Sequence, residues 1–306
     1  MLTLDIRFSR FSHEQQEIDI NPLVVYNSLM SAQQSVLSTD APLDLRLSPE
    51  ELDAIESHVS QFIADMVDDA GVDGAVLGLS GGIDSTTVAY MAVDALGAEN
   101  VHGLVMPSEV SDDSNMSDAE WVAEELDIPY DVIEIQPIAE SFFEAVPEAA
   151  DDQMAAGNVY VRTRAVLNYF IANHENKIVL GTGNRSEALT GYYTKYGDQA
   201  VDCNPIGNLY KQQVRQLAAS VGVPEELVMK TPSAGMWVGQ TDEEELGLGY
   251  DTVDAILAVH VDGPLSIDAT VRQLDVTAED VTRVVELYEK SEHKRQMPPA
   301  PSPLSL

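Results

Sequence analysis

Ala75-Val76-Leu77-Gly78-Leu79-Ser80-Gly81-Gly82-Ile83-Asp84-Ser85 decides the reading of this chain. An apolar run of strand length gives way to a glycine-rich turn, and a helical pattern opens near Thr86. In such a strand–turn–helix arrangement, backbone N–H groups converge on an anion and the helix dipole adds positive potential. The paired glycines let the backbone come close to a phosphate. Asp84 would repel a phosphate, and a Mg²⁺ shared with the phosphates accounts for its presence. The lysine and the spacing of a Walker loop are absent. A plainer reading also stands at this point, an ordinary βα turn with Gly, Ser and Asp as turn and cap residues.

Upstream, Ser48-Pro49-Glu50-Glu51 combines an N-cap serine, a proline at the first helical position and a glutamate at the third. Leu52, Ile55, Val59, Phe62, Ile63 and Met66 then recur on one face of the helix that it starts. Downstream, helix and strand patterns alternate. A helix runs from Thr86 to Gly97, then a strand over 101–106 and a helix capped by Ser117 with Glu120 three residues on. A strand over 131–135, a helix near 138–146, a long helix near 158–173 and a strand over 177–181 follow. Further helices run from Tyr210 to about Val221 and from a Thr277–Asp280 cap. The alternation predicts an α/β fold: a doubly wound, mostly parallel sheet with helices on both faces, Rossmann-like. In such sheets ligands sit outside the carboxyl ends of the strands. Ser80–Ser85, Met106-Pro107-Ser108 and Gly181-Thr182-Gly183 are therefore expected to line one crevice. Residues 1–46 read as a weakly periodic extension, 47–298 as the folded domain and 299–306 as a proline-rich tail.

The 306 residues carry 52 Asp and Glu against 16 Lys and Arg, a formal charge of −36. The acids are spread along the chain, so no acidic tail explains them. An apolar content of 44% and regular periodicity argue against disorder. Adaptation to molar salt fits best, because self-repulsion is screened to about 3 Å there. A halophile's cytoplasmic protein is the expectation. Nucleic acid is disfavoured as a partner, since phosphate backbones call for a basic face. No apolar run approaches the ~20 residues of a membrane span, and no signal peptide opens the chain. The single cysteine, Cys203, excludes a disulfide framework within the chain. Lysine occurs only at 177, 195, 211, 230, 290 and 294, so each is informative.

The loop Ser80–Ser85 resembles the SGGxDS pyrophosphate loop of the ATP-pyrophosphatase superfamily, whose members cleave ATP to AMP and pyrophosphate. Further motifs follow in order. They are Gly181-Thr182-Gly183-Asn184-Arg185-Ser186-Glu187, Gly191-Tyr192-Tyr193-Thr194-Lys195-Tyr196-Gly197-Asp198, and Asn204-Pro205-Ile206 with Leu209-Tyr210-Lys211. Pro232-Ser233-Ala234-Gly235-Met236-Trp237, Gly239-Gln240-Thr241-Asp242-Glu243 and Glu292-His293-Lys294-Arg295 complete the series. Together they closely resemble the NAD synthetase family, over roughly residues 48–298.

The resemblance implies a fold of the adenine nucleotide alpha hydrolase type and a two-step ligase reaction. The carboxylate of deamido-NAD attacks the α-phosphate of ATP to give an NAD-adenylate and pyrophosphate; ammonia then expels AMP. It implies ATP contacts by Gly78, Leu79, Ser80, Gly81, Gly82, Ile83, Asp84, Ser85, Thr182, Lys211 and Ser233. Mg²⁺ would lie on Asp84 and Glu187. Deamido-NAD would meet Arg162, Lys195, Asp202, His293 and Lys294. Val161 and Ala165 flank the arginines where the family usually shows Ala-Arg-x-Arg-Met, which bears on the shape of the pocket. No residue is assigned as a covalent nucleophile or general base, and positioning with charge neutralisation carries the expected chemistry. Asp242 and Glu243 also read as salt-adapted surface, and one of Asp198 and Asp202 as a residue that only orders its loop.

Some members of the family carry a nitrilase-type glutaminase domain with a catalytic cysteine. The residues before Ser48 contain no cysteine, so free ammonia, or ammonia from a separate glutaminase, is the expected amide donor. The family is usually a homodimer, and helix 49–67 or the long helix near 158–173 would supply the interface. Competing readings are another ATP-pyrophosphatase, resembling GMP synthetase or a tRNA thiolase, and a non-catalytic nucleotide-binding protein. One cysteine and the acidic charge speak against a thiolase, and the two carboxylates at 84 and 187 against a non-catalytic role.

Overall fold

The computed structural model describes residues 45–109, 111, 113–233, 237 and 240–302. The predicted extension over 1–46 lies outside these, apart from its last two residues, and so does the end of the tail. Period-two alternation along short apolar strands sets the layers. In β1 (Ala75–Leu79), Ala75, Leu77 and Leu79 enter one core and Val76 the other. β2 (Val101–Val105) sends Val101 and Val105 to the first core and Leu104 to the second. β3 (Tyr130–Val132) is a half-exposed edge, and β4 (Ile178–Val179) again splits, Ile178 to the first core and Val179 to the second. Burial on both faces is why the strands read as unbroken apolar runs. All pairings are parallel, in the order β3-β2-β1-β4, with Ala75 opposite both Val101 and Ile178.

Helices α1 (Pro49–Ala70), α2 (Ile83–Leu96) and α3 (Asp113–Glu125) cover the first face. After α4 (Gln136–Ala145) and the short α5 (Pro147–Ala150) comes α6 (Gln153–Glu175); α4 and α6 cover the second face. Beyond β4 lie α7 (Arg185–Thr190), α8 (Lys211–Ser220), α9 (Glu225–Val228), α10 (Asp242–Leu246) and α11 (Tyr250–Ile256). A π-helical turn, Leu257–Val261, extends α11, and α12 (Ile267–Leu274), α13 (Ala278–Lys290) and α14 (Glu292–Arg295) follow. Tyr210, Val253, Ile256, Leu257, Val281 and Val284 form a third core among these helices. Among the described residues no helix is long and apolar enough to cross a membrane.

The capping boxes at Ser48–Glu51 and Thr277–Asp280 form as their sequences predict. Other boundaries move. Ser117 does not start α3: the helix begins at Asp113, because the earlier turn carries Met116 onto the first core. The long helix starts at Gln153 rather than near 158, since the Asp152 carboxylate accepts from the Met154 and Ala155 N–H groups, each at 3.0 Å. The strands expected over 131–135 and 177–181 are shorter, the second continuing only as a bridge between Leu180 and Cys203.

The strand order dictates where a ligand can sit. From β1 the chain steps outward through β2 and β3, then returns to the other side of β1 for β4. The loops leaving β1 and β4 therefore turn apart, and the crevice between their carboxyl ends is the switch point of the sheet. The first of these loops depends on a glycine. Gly81 has φ +69°, and a Cβ there would lie 2.0 Å from the Asn115 carbonyl oxygen at the start of α3. A Cβ at Gly82 would meet only the loop's own Ser80 Oγ, at 3.2 Å. Gly81→Ala is expected to cost about 1–3 kcal/mol, through strain plus backbone displacement. Gly82→Ala is expected to cost less than about 1 kcal/mol. Denaturant unfolding of both variants in molar KCl measures the difference.

Candidate active site

The β1–α2 turn is framed by its own serines. Ser85 Oγ accepts from the Ser80 N–H at 3.2 Å, lies 3.0 Å from Ser80 Oγ and donates to the Gly82 carbonyl at 3.1 Å. The Gly82 N–H donates to Ser80 Oγ at 3.3 Å. Ile83 is anchored in the first core, and Gly78 with Leu79 ends the strand against Met106 and that core. Gly82 is the N-cap of α2 and makes no side-chain cap bond, as suits a helix start that receives an anion. Lys230 adds a strut: its ammonium donates to the Gly81 carbonyl at 3.2 Å and pairs with Asp118.

Asp84, the second residue of α2, meets Glu187 of α7 across the switch point. Both converge on Lys211 at the start of α8: its Nζ pairs with Asp84 and lies 3.6 Å from Glu187. Only 3% of the Lys211 side chain is exposed, against 17% for Asp84 and 18% for Glu187. Burial alone would depress the Lys211 ammonium, but Asp84 and Glu187 outweigh it and hold its pKa above the ordinary lysine value. Glu187 is pushed toward its neutral form: burial first, and the charge of Asp84 second, raise its carboxyl well above the usual carboxylate range. A divalent cation relieves a carboxylate so crowded by another. No third His, Cys, Asp or Glu joins a metal-holding set among the described residues. Two carboxylates completed by phosphate oxygens and water is an ordinary Mg²⁺ ligand set, so the residues present fit the ion.

Helix α7, only six residues long, is fixed at both ends. Asn184 caps it in a box with Glu187, and Asn184 Nδ2 also donates to Asp84 Oδ1 at 3.0 Å. Arg185 makes a two-pronged pair with Asp262, at 2.7 and 2.5 Å. At the far end Arg295 donates to the Ala188 and Leu189 carbonyls at 3.3 and 2.9 Å, and Lys294 to the Gly191 and Tyr193 carbonyls at 2.7 and 2.6 Å. Cations on the last carbonyls of a helix complement its dipole.

Four of the five residues expected to meet deamido-NAD form one connected group beyond α7. Arg162 donates to the Lys195 carbonyl at 3.1 Å, Lys195 Nζ to the His293 carbonyl at 2.6 Å, and Lys294 adjoins His293. These cations bond to main-chain carbonyls, which leaves their charge for an anionic ligand. Asp202 is apart from them: it accepts from the Val179 N–H at 2.7 Å and from Tyr169 at 3.1 Å. Thr182 is partly buried in the β4 loop, and Ser233 is exposed after α9. Asp242 donates its N–H to Pro232, next to Ser233, at 3.2 Å.

Several contributors carry no legible signal in the sequence. Asp242 is not salt-adapted surface: it is 3% exposed, accepts from Tyr250 at 3.0 Å, and burial raises its pKa against the pull of Lys211. Glu243 is exposed, as the surface reading expects. Asp198 accepts from the Thr194 N–H at 2.7 Å and so orders its loop. Asn184 is readable in principle, since Asn-x-x-Glu is a capping-box pattern. Arg164, on α6, donates to the Met106 carbonyl at 3.1 Å, and burial lowers its pKa; it is the second arginine of the Arg-x-Arg pattern, to which the sequence alone assigns no role.

The NAD synthase family model, described as NAD synthase, matches residues 55–298. The chain is 61% identical over 267 residues to the NH(3)-dependent NAD(+) synthetase of Halobacterium salinarum, covering 87% of this chain and 100% of that one. It is 48% identical over 244 residues to the protein of the same description from Pyrococcus horikoshii, covering 80% and 94%. Among solved structures, an NMN synthetase from Francisella tularensis superposes with TM-score 0.72 at 33% identity, covering 84% of this chain and 99% of that one. The NH3-dependent NAD synthetase of Campylobacter jejuni superposes with TM-score 0.69 at 30% identity, covering 82% and 99%. The Asp84–Glu187 pair at the switch point of the sheet thus lies in a chain that belongs to the NAD synthase family.

Proposed function

We propose that the chain amidates deamido-NAD to NAD with ammonia, driven by ATP, through an NAD-adenylate, releasing AMP and pyrophosphate. The observation that carries this is the convergence of Asp84 and Glu187 on the buried Lys211 between the β1 and β4 loops. ATP would lie with its β- and γ-phosphates on the Gly78–Ser85 turn, and Thr182 and Ser233 would supply further hydroxyl contacts to it. Asp84 and Glu187 would hold Mg²⁺, which when bound neutralises charge on the leaving pyrophosphate. Lys211 would bring a fixed positive charge near the phosphates of ATP, where charge develops as the carboxylate attacks. Arg162, Lys195, His293 and Lys294 would orient deamido-NAD, and Asp202 would meet it from the β4 side. No side chain here needs to form a covalent bond; neutral ammonia attacks the activated acyl carbon and AMP leaves. Placing two phosphorylated substrates in line supplies the main acceleration. The other ATP-pyrophosphatase readings and the non-catalytic one find no support in relatives of 61% and 48% identity. A cytoplasmic setting, with free ammonia or a separate glutaminase as the donor, accompanies this reading.

The family expectation of a homodimer gains a candidate face. The apolar stripe of α1 packs into the first core, through Val59, Ile63, Ile55, Phe62 and Met66. On the α4–α6 side, Phe142, Val166 and Phe170 are 55%, 68% and 68% exposed; Val166 and Phe170 line a groove of about 510 Å³ with Arg162 and Tyr196, and Phe142 lines a second hollow with Val166 and Arg162. A chain of charge −36 repels its copies, so an association between copies needs such an uncharged face. This face is continuous with the Arg162–Lys195 group, so a second copy seated on it would lie next to the deamido-NAD residues.

Purified protein in molar KCl is expected to form NAD from deamido-NAD, ATP, Mg²⁺ and ammonium, with Asp84→Ala losing most turnover while its circular dichroism is unchanged. Turnover with glutamine but not with ammonium, or none that depends on deamido-NAD, would refute the reading. Phe170→Asp is expected to convert a dimer to a monomer in sedimentation at molar salt. A wild-type monomer, or an unaffected dimer, would remove the α4–α6 face as the interface.

A further inference from the structure

Asp254 lies on α11, outside every motif that marks the site, and is fully buried. Burying a carboxylate costs several kcal/mol unless hydrogen bonds compensate it, so its partners are informative. One oxygen, Oδ1, accepts from the Ser186 hydroxyl at 2.5 Å. The other, Oδ2, accepts from the Gln212 N–H at 2.9 Å. Ser186 Oγ in turn accepts from the Lys211 N–H at 2.9 Å. Ser186 is itself fully buried and stands immediately before Glu187 on α7.

These three bonds cap the first two N–H groups of α8 from outside the helix. An N-cap side chain ordinarily satisfies that turn. Here the N-cap is Tyr210, which makes no side-chain cap bond, and the acceptors come from α7 and α11 instead. The consequence is geometric. Lys211 is the first residue of α8, so the bonds that hold its N–H also set where its side chain leaves the backbone. The same serine belongs to the turn that carries Glu187. One buried carboxylate therefore fixes the Lys211 backbone and the Glu187 backbone relative to each other, while Asn184 ties the same turn to Asp84 at 3.0 Å.

We propose that Asp254 is a positioning residue for the reaction: through Ser186 it sets the spacing between the Lys211 ammonium and the Glu187 carboxylate. The inference rests on the proposed function for what Lys211 and Glu187 do. A cap needed for folding alone would lower stability and leave each folded molecule as active as before. A positioning residue changes turnover of the folded enzyme. An aspartate suits it because both of its oxygens accept; an asparagine would either set its NH₂ against the Gln212 N–H or leave the Ser186 hydroxyl proton without its acceptor.

The test compares Asp254→Asn, Ser186→Ala and their double variant with wild type in molar KCl, reading deamido-NAD-dependent pyrophosphate release and thermal unfolding together. Each single variant is expected to lose about ten-fold or more in kcat, with KM for ammonium within about two-fold of wild type. The double variant is expected to be no worse than Asp254→Asn alone, because both act on one chain of bonds. Thr277→Ala, which removes an exposed cap on α13 that shares no hydrogen bond with this network among the described residues, serves as the stability control and is expected to lower Tm without lowering kcat. Variants that lose Tm but keep kcat would overturn the proposal and leave Asp254 a structural cap. If Asp254→Asn does not fold, Ser186→Ala decides by the same two readings. A wild type without turnover on deamido-NAD would instead overturn the functional reading beneath it.

Discussion

The structure turns on one buried lysine. Lys211 is 2% exposed, on the first turn of α8, and two carboxylates from two other elements close on its ammonium. Removing any one of three charges so deeply placed leaves the others uncompensated, which is costly in a low-dielectric interior. The arrangement exists only because the strand order brings the β1 and β4 loops to the same end of the sheet and turns them apart. Everything around it restrains the pieces that carry charge: Gly81 against Asn115, Asn184 on Asp84, Arg185 on Asp262, Arg295 and Lys294 on the carbonyls that end α7.

A chain with 52 acids and 16 bases has to bind two phosphorylated substrates, and the way its few bases are held makes that possible. Arg162, Lys195 and Lys294 direct their hydrogen bonds to main-chain carbonyls, and Arg164 and Arg295 to carbonyls and a serine hydroxyl. Carbonyls hold a cation in place without cancelling its charge, whereas a carboxylate would do both. The positive field is thus local, drawn from a few fixed side chains and the helix N-terminus behind Gly82, while the surface stays acidic for molar salt.

How much of this is legible in the sequence follows from the range of each interaction. The fold is, because period-two strands, capping boxes and glycine turns are local: Ser48–Glu51 and Thr277–Asp280 cap as written. Helix starts depart from the local signal where tertiary burial competes with it, as when Met116 draws α3 past Ser117. Asp84, Glu187 and Lys211 are legible as a set only through a family resemblance, and their mutual contact, spanning 127 residues between Asp84 and Lys211, has no sequence signature. Asp242 reads as surface because in so acidic a chain one more aspartate looks like all the rest; burial beside Tyr250 is a tertiary fact. Asp254 leaves no trace at all, since it acts on α8 from 42 residues away.

The Lys211 ammonium, held between Asp84 and Glu187, is proposed to make the crevice a site for breaking ATP. The decisive measurement is deamido-NAD-dependent pyrophosphate release in Lys211→Met at molar KCl and saturating Mg²⁺. A loss of about a hundred-fold or more in kcat is expected, in a protein whose circular dichroism is unchanged. Release within about two-fold of wild type would contradict it.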